Sequence, residues 1–276
     1  MTGRNSFAKS SAVKLSYSKR HAELGWLVRP ERTLVVVTRS HAHFLDSRLA
    51  ATPVLIQPEN RGTAPAILFS LLSIESKDPD GHVALFPADH YFANDVVFMR
   101  HVAQAFAAVR QRPDLIILLG IVPQAPEVDY GWIQPGAPVR GVEHRSLFQV
   151  QQFWEKPPRV VAEQLFEMGC LWNSFVIVSS VRALYGLMRR TVPDLCEAFH
   201  DAQAVLGSRV IGDLAKAIYS QIPSVDFSGE VLSQSPDSLS VLPVAGAGWV
   251  DVGRPEQLRA LISRTAAQPN LYGQPA

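Results

Sequence analysis

Short continuous apolar runs alternate along this chain with longer segments in which apolar residues recur at helical spacing. Continuous runs are typical of strands buried on both faces of a sheet, and they occupy Thr33–Val37, Val54–Ile56, Val83–Phe86, Leu115–Leu119, Leu147–Trp154 and Ser174–Val178. Pro65 predicts the start of one intervening helix, and Asn94 or Asp95 can cap the next. Further helices are predicted at Arg159–Met168, with Gly169 as the stop signal, and near residues 179–190, 194–206 and 210–221.

This alternation of strands and helices predicts an α/β fold of the Rossmann-like type, with a mostly parallel sheet covered by helices on both faces. In such sheets, ligands bind beyond the carboxyl ends of the strands. Predicted strands are directly followed by Gln57, Pro87–His90, Gly120 and Glu155–Lys156, so we expect these residues at one edge of the sheet. Residues 121–146 are rich in proline and glycine and are predicted to form loops over that edge.

Composition excludes several classes of protein. The 276 residues carry a net charge of +1, which gives no electrostatic argument for nucleic acid or an anionic membrane, and no apolar run approaches the roughly 18–20 residues that span a bilayer. Two cysteines, Cys170 and Cys196, make neither a disulfide framework nor a metal-binding set. We therefore expect a cytoplasmic protein with one α/β domain over residues 31–265, a poorly ordered basic, serine-rich leader (1–30) and a polar tail (266–276).

Several short stretches follow one another in a fixed order: QPENRGTAPA at 57–66, FPADH at 86–90, YGWI at 130–133, FWEKP at 153–157, LWNSF at 171–175 and WVDVG at 249–253. They resemble the EPxxRNTAPA, LPADH, GYGYI, FxEKP, WNSG and WxDVG stretches of the mannose-1-phosphate guanylyltransferases, a branch of the sugar-phosphate nucleotidyltransferases. IPSVDF with Glu230, at 222–230, resembles a further stretch of that family. Each motif is weak alone, and their common order makes the resemblance specific.

The resemblance implies a reaction in which GTP and mannose 1-phosphate give GDP-mannose and pyrophosphate. It also implies that Asp89 and Asp251 hold Mg²⁺ on the nucleotide phosphates, a role that suits paired carboxylates. Taken alone, Asp89 could equally cap the following helix, and Asp251 could form a turn. We expect Asp89 and Lys156 to be the catalytic residues.

For the sugar phosphate, the resemblance implies hydrogen bonds from the hydroxyls to Glu155 and contact of the phosphate with Lys156 as a point charge. Asn173 would add a sugar contact, and Gly131 would allow a close backbone approach because it lacks a Cβ. The simple alternative is an exposed Glu155–Lys156 pair on the surface. Because successive strand residues face opposite ways, a mutual salt bridge between the two is not expected.

For the nucleotide, the resemblance points to Gln57, Asp89 and the 61–64 segment, whose members are Arg61, Gly62, Thr63 and Ala64. Gly62 stands where the family usually has Asn. A plain turn ahead of the Pro65 helix is the alternative interpretation of this segment. The implied partners are GTP and mannose 1-phosphate, with a homo-oligomer possible.

One family feature has no counterpart near the start of the chain. The family begins with a strand and a GGxGTRLxPLS loop, followed by PKQ, and nothing in residues 1–32 matches. We therefore expect the first strand, beside Thr33–Val37, and the phosphate loop to be missing, as in a shortened or frameshifted copy or a nonfunctional relative. The competing functions are a noncatalytic subunit that binds sugar phosphate only, and an enzyme for another nucleotide or hexose phosphate.

Overall fold

The computed structural model describes residues 30–45, 49, 52–143, 146–200, 211–253, 257, 259, 262 and 263. Apart from Pro30, the predicted leader lies outside these residues, as do the predicted tail and the last part of the predicted 194–206 helix. Within the described part of the chain, no helix combines the length and the apolar character needed to cross a bilayer.

Strands and helices alternate through most of the described chain. The strands are β1 (Val35–Thr38), β2 (Val54–Gln57), β3 (His82–Leu85), β4 (His90–Phe92), β5 (Ile116–Ile121), β6 (Trp132–Pro138), β7 (Phe148–Trp154), β8 (Leu171–Ser180), β9 (Ser240–Val244) and β10 (Trp249–Asp251). The α-helices are α1 (Thr63–Glu75), α2 (Asp95–Gln111), α3 (Arg159–Glu167), α4 (Val181–Thr191), α5 (Pro193–Ala198) and α6 (Ile211–Gln221).

The main sheet has six strands in the order β3-β8-β5-β9-β7-β6, and β6 also pairs with β8. Only β5 and β9 run parallel in this sheet, and the other pairs are antiparallel. The α/β fold of the nucleotidyltransferase type is confirmed, but the prediction of a mostly parallel sheet is wrong. The prediction took every connection for a parallel crossover, whereas β6 and β7 follow each other without a helix and pair as a hairpin.

Two small ladders complete the strand pairing. β1 pairs with β2 in parallel, and β4 pairs with β10 in antiparallel orientation. Within the described residues, β1 pairs with no other strand. The strand that was expected to be missing beside it would precede Pro30, outside the described part of the chain.

The core lies on both faces of β5, all of whose residues are buried. Ile116 and Leu118 belong to an apolar cluster built largely from α1, α4 and α6. Ile117, Leu119 and Ile121 belong to a second cluster, with α2 and α3. Side chains of a strand alternate between the two faces of its sheet, so helices cover both faces of the sheet, as predicted.

Local sequence signals set several element boundaries. The Asn94 side chain accepts a hydrogen bond from the Val97 N–H and caps α2, as predicted. Gly169 follows α3 with a φ of +72°, the left-handed conformation expected of a helix stop. The prediction of loops throughout 121–146 is wrong, because β6 lies within it. Its prolines are tolerated since the ladder to β7 shifts register between Gln134 and Pro138.

Candidate active site

The ends of β6, β7 and β8 bring four of the predicted site residues together. In the ladders, Trp132 is paired with both Trp154 and Trp172, so Gly131, Glu155 and Asn173 follow at one edge. The Asn173 N–H donates to the Gly131 carbonyl over 2.7 Å. A Cβ on Gly131 would lie 2.9 Å from Glu155 Oε2 and 3.2 Å from Asn173 Cβ, so only glycine fits here without a shift. With Lys156, these residues form what we call the polar cluster.

Glu155 is the electrostatically perturbed member of the polar cluster. Its pKa is raised, chiefly because burial penalises the carboxylate; Lys156 opposes the shift, and the charge of Asp226 adds to it. Glu155 Oε1 lies 3.5 Å from Lys156 Nζ. The expectation that these neighbours would not pair is therefore wrong. β7 ends at Trp154, and Lys156 has a φ of +47°. Glu155 and Lys156 therefore lie outside the strand, and their side chains need not point to opposite faces.

Two residues without glycine's freedom adopt left-handed backbone conformations beside this site. They are Lys156, with a φ of +47°, and Phe175, with a φ of +56°. Such conformations are unfavourable for side chains with a Cβ and are concentrated at functional sites. The Phe175 N–H donates to Asn173 Oδ1 over 3.0 Å, which fixes the orientation of the Asn173 amide next to Glu155. The Phe175 ring packs edge-on against Phe227.

Two further predicted site residues, Asp89 and Asp251, lie together with His90, which was not predicted as a site residue, in what we call the acidic cluster. The β4–β10 ladder pairs His90 with Asp251, and the Val252 N–H donates to the Asp89 carbonyl over 2.8 Å. One side-chain ligand atom from each of the three residues lies within 4.8 Å of the others. A Cβ on Gly253 would be 2.9 Å from Asp89 Oδ2 and from Asp251 Oδ1. The two carboxylates thus converge on the space beside Gly253, and paired carboxylate oxygens are ligands that suit Mg²⁺.

Aromatic side chains connect the polar and acidic clusters. Tyr130, which precedes Gly131, lies 5.2 Å from the ring of Trp172 and 4.9 Å from the ring of Trp249, centroid to centroid. Trp249 also packs edge-on against His90, with centroids 5.2 Å apart. Trp172 precedes Asn173 and Trp249 lies two residues before Asp251, so this packing fixes the two clusters relative to each other.

The 61–64 segment, which was predicted to contact nucleotide, lies against residues 225–227. The Ala64 N–H donates to the Val225 carbonyl and the Val225 N–H to the Arg61 carbonyl, over 3.1 and 3.0 Å. Thr63 Oγ1 donates to Asp226 Oδ1 over 3.3 Å and accepts from the Phe227 N–H over 2.8 Å. The segment therefore holds Asp226 in place, and Asp226 in turn acts on the pKa of Glu155.

Gln57 and Arg61 make contacts with α6. The buried Gln57 side chain accepts a hydrogen bond from the Tyr219 hydroxyl over 3.1 Å. Arg61 Nε donates to the Tyr219 carbonyl over 2.9 Å, and Arg61 Nη2 pairs with Glu59. These contacts attach the end of β2 and the start of α1 to α6.

Asp226, like His90, is a residue of this site that the sequence-based prediction did not include. Its N–H donates to Glu230 Oε1 over 2.8 Å, and its own Oδ2 accepts from the Gly229 N–H over 2.7 Å. This reciprocal pattern resembles a helix capping box, with the glutamate one position later than in the usual motif, and a π-helical turn follows at Ser228–Leu232. The family-like stretch IPSVDF with Glu230 was the signal that could have identified it.

Comparison with solved structures supports the fold. A crystal structure of mannose-1-phosphate geranyltransferase from Thermus thermophilus is 25% identical, with a TM-score of 0.76 over 89% of this chain and 68% of that chain. A crystal structure of mannose-6-phosphate isomerase from Helicobacter pylori is 17% identical, with a TM-score of 0.69 over 87% of this chain and 90% of that chain. The latter likeness concerns the fold alone.

Curated relatives share the same stretch of sequence. A mannose-1-phosphate guanylyltransferase of Klebsiella pneumoniae and one of Escherichia coli are each 29% identical over 254 residues, 91% of this chain and 52% of the relative. The xanthan biosynthesis protein XanB of Xanthomonas campestris pv. campestris (strain B100) is 29% identical over 204 residues, 72% of this chain and 41% of XanB. The chain thus spans about half the length of the curated relatives it matches.

The family model described as nucleotidyl transferase matches residues 23–268. This span includes every residue of the polar and acidic clusters as well as the 61–64 segment. The chain belongs to the nucleotidyl transferase family.

Proposed function

We propose that this chain transfers the guanylyl group of GTP to mannose 1-phosphate, giving GDP-mannose and pyrophosphate. The observation that carries the proposal is the connection of two clusters at one edge of the sheet. The acidic cluster offers paired carboxylates. The polar cluster offers a carboxylate that can accept hydrogen bonds from hydroxyls, an amide and an ammonium group. The names of the curated relatives support the choice of nucleotide and sugar.

The polar cluster has the chemistry to bind a sugar phosphate. Glu155 would accept hydrogen bonds from sugar hydroxyls as a carboxylate, and Asn173 would add an amide contact beside it. Gly131 leaves the space that the sugar needs, since a Cβ there would meet Glu155 and Asn173. Lys156 would meet the phosphate, because an ammonium group is a mobile point charge with three donors.

Transfer requires an oxygen of the sugar phosphate to attack the α-phosphorus of the nucleotide. The new bond joins that oxygen to the α-phosphorus, the bond from the α-phosphorus to the bridging oxygen breaks, and pyrophosphate leaves with its electron pair. Such transfers depend mainly on positioning and on stabilisation of charge. Lys156 would hold the attacking phosphate and offset its charge. Asp89 and Asp251 would hold Mg²⁺, which neutralises phosphate charge when it is bound.

For the nucleotide, we propose the surface formed by the 61–64 segment. Gly62 precedes α1, which begins at Thr63. The Gly62 and Ala64 N–H groups are bonded to Asn60 Oδ1 and the Val225 carbonyl, so the Thr63 N–H would meet an acceptor at this helix start. The bonds between this segment and Val225 would keep the surface fixed when a base or phosphate binds. Gln57 and Arg61 would support it from behind, through Tyr219.

Pyrophosphate release by the purified chain tests this function. Each of the four ribonucleoside triphosphates would be supplied with Mg²⁺ and either mannose 1-phosphate or glucose 1-phosphate, with nucleotide sugars identified by mass spectrometry. We expect GTP with mannose 1-phosphate to give the highest rate and GDP-mannose as the product. A faster reaction with another pair would overturn the assigned substrates. Binding of mannose 1-phosphate without release from any triphosphate would indicate a noncatalytic sugar-phosphate-binding protein instead.

A further inference from the structure

A cleft of about 700 Å³ lies at the edge of the main sheet opposite the candidate active site. Its walls include Leu115 and Ile116 at the start of β5, Ser240 at the start of β9 and Gln149 at the start of β7. The polar cluster lies at the other ends of these strands. Since a strand rises about 3.3 Å per residue, the six residues of β5 separate the two places by about 17 Å. The cleft is therefore distinct from the active site.

The size and lining of the cleft suit a small organic molecule. Ligand sites commonly measure about 300–1,000 Å³ and combine apolar surface with a few polar groups. Leu115, Ile116 and Leu239 are buried residues that provide an apolar floor. Pro138 and Val139 also line the cleft.

Four arginines and two aspartates line the same cleft. Arg112 is already neutralised, because its Nε and Nη2 donate to the two oxygens of Asp114 over 2.8 and 2.6 Å. That contact also lowers the pKa of Asp114 and keeps it ionised. Arg182, which is exposed, pairs with Asp80 over 2.9 Å. Two of the four guanidinium groups thus have carboxylate partners.

The other two arginines come from different elements of the lining. Arg140 follows β6, and its carbonyl accepts a hydrogen bond from Arg112 Nη1 over 2.9 Å, which anchors the backbone there. Arg190 is in the last turn of α4, and its Nη2 lies 3.5 Å from the neutral Ser238 hydroxyl. Among the described residues, neither guanidinium has a carboxylate within 4.0 Å. Paired guanidinium groups are the usual protein ligands of phosphate oxygens.

We propose that this cleft is a second binding site, for a small organic phosphate whose phosphate lies between Arg140 and Arg190 and whose apolar body lies on Leu115 and Leu239. Asp237 at the rim would accept a hydrogen bond from a hydroxyl or ring N–H of the ligand. The site does not depend on the proposed transfer reaction, since no residue of the cleft belongs to the polar or acidic cluster.

Calorimetric titration of the full chain with adenosine 5′-monophosphate tests the site. We expect the double variant R140Q/R190Q to bind this probe at least about tenfold more weakly, because it loses the charge-assisted hydrogen bonds to the phosphate. R182Q is the matched control, since that arginine is already paired with Asp80, and K156Q reports on the proposed sugar-phosphate site. Both controls should bind the probe as the wild type does. Thermal unfolding should show that all variants fold.

Three results would overturn the proposal. They are no binding of the probe by the wild type, unchanged binding by R140Q/R190Q, or loss of binding in K156Q with retention in R140Q/R190Q. The last result would assign the probe to the active site. Failure of pyrophosphate release would leave this test intact, so the two proposals can fail separately.

Discussion

Gly62 and Val225 lie so close together that a single added carbon would not fit between them. A Cβ on Gly62 would be 2.3 Å from the Val225 carbonyl oxygen, and Gly62 has a φ of +85° and a ψ of −173°, a region open essentially to glycine. The neighbouring residues Arg61 and Ala64 both hydrogen-bond to Val225. The asparagine that the related enzymes usually carry would therefore be strained in this backbone.

Replacement of Gly62 by alanine should destabilise the fold. The strained backbone alone costs about 1–3 kcal/mol, and the clash with Val225 adds to it. G212A is the matched control, because a Cβ at Gly212, in α6, meets nothing within 4 Å, and alanine there is favoured over glycine by about 0.5–1 kcal/mol. Urea unfolding of both variants checks this. A G62A protein as stable as the wild type would show that residues 61–64 do not pack on Val225 as described.

Glu155 should make stability depend on pH. Because burial raises its pKa above the ordinary value of 4.5, the folded protein keeps this proton where the unfolded chain has released it. Stability therefore falls as the pH rises from 4.5 through the folded-state pKa. The neutral E155Q avoids this cost, so it should be more stable than the wild type at pH 7 and lose that advantage at pH 4.

Denaturant titrations of wild type and E155Q at the two pH values measure the effect. Greater stability of the wild type at pH 7 would mean that pairing with Lys156 outweighs the burial of Glu155. The K156Q variant separates these two influences. It removes the cation that opposes the rise in the pKa of Glu155. The gain in stability at pH 7 from E155Q should therefore be larger in the K156Q background than in the wild type.

Phe175 should carry a conformational cost for its left-handed backbone. Two truncations isolate that cost, since both remove the ring and its contact with Phe227, and only alanine keeps a Cβ. At a φ of +56°, F175G should be more stable than F175A by about 1 kcal/mol. The comparison is made by chemical unfolding under identical conditions. Equal stability, or an advantage for F175A, would contradict a left-handed conformation at this position.

The sequence motifs led to the expectation that several residues meet at one edge of the sheet, but they did not predict the order and direction of its strands. Glu155 was predicted directly after a strand, whereas Gly131 was expected in a loop. In the structure Gly131 directly precedes β6, whose antiparallel pairing with β7 brings the two residues to the same edge. The antiparallel insertion of β8 between β3 and β5 leaves no local signal, because strand direction depends on packing rather than on periodicity. Taking each helix for a parallel crossover therefore gave the wrong sheet.

The pattern of apolar residues also did not predict the short strands or the strand β9, which contains a proline. β4 and β10 have three residues each, too few for periodicity to register. β9 carries Pro243 yet lies between β5 and β7, which is possible because its pairs with β7 involve Ser240 and Val241. Asp226 was not predicted for another reason. Its charge raises the pKa of Glu155 only once folding has brought the two residues together.

The rate of GDP-mannose formation in D89N and D251N tests most directly the claim that these two distant carboxylates serve one reaction. The measurement uses saturating substrates and Mg²⁺, with D80N as a control because the exposed Asp80 contacts Arg182 on the surface. We predict that each active-site variant loses about 10²–10³ in rate, as expected when one electrostatic contribution to the transition state is removed, while D80N keeps the wild-type rate. If D89N or D251N retained the wild-type rate, the proposed role of the acidic cluster would be wrong.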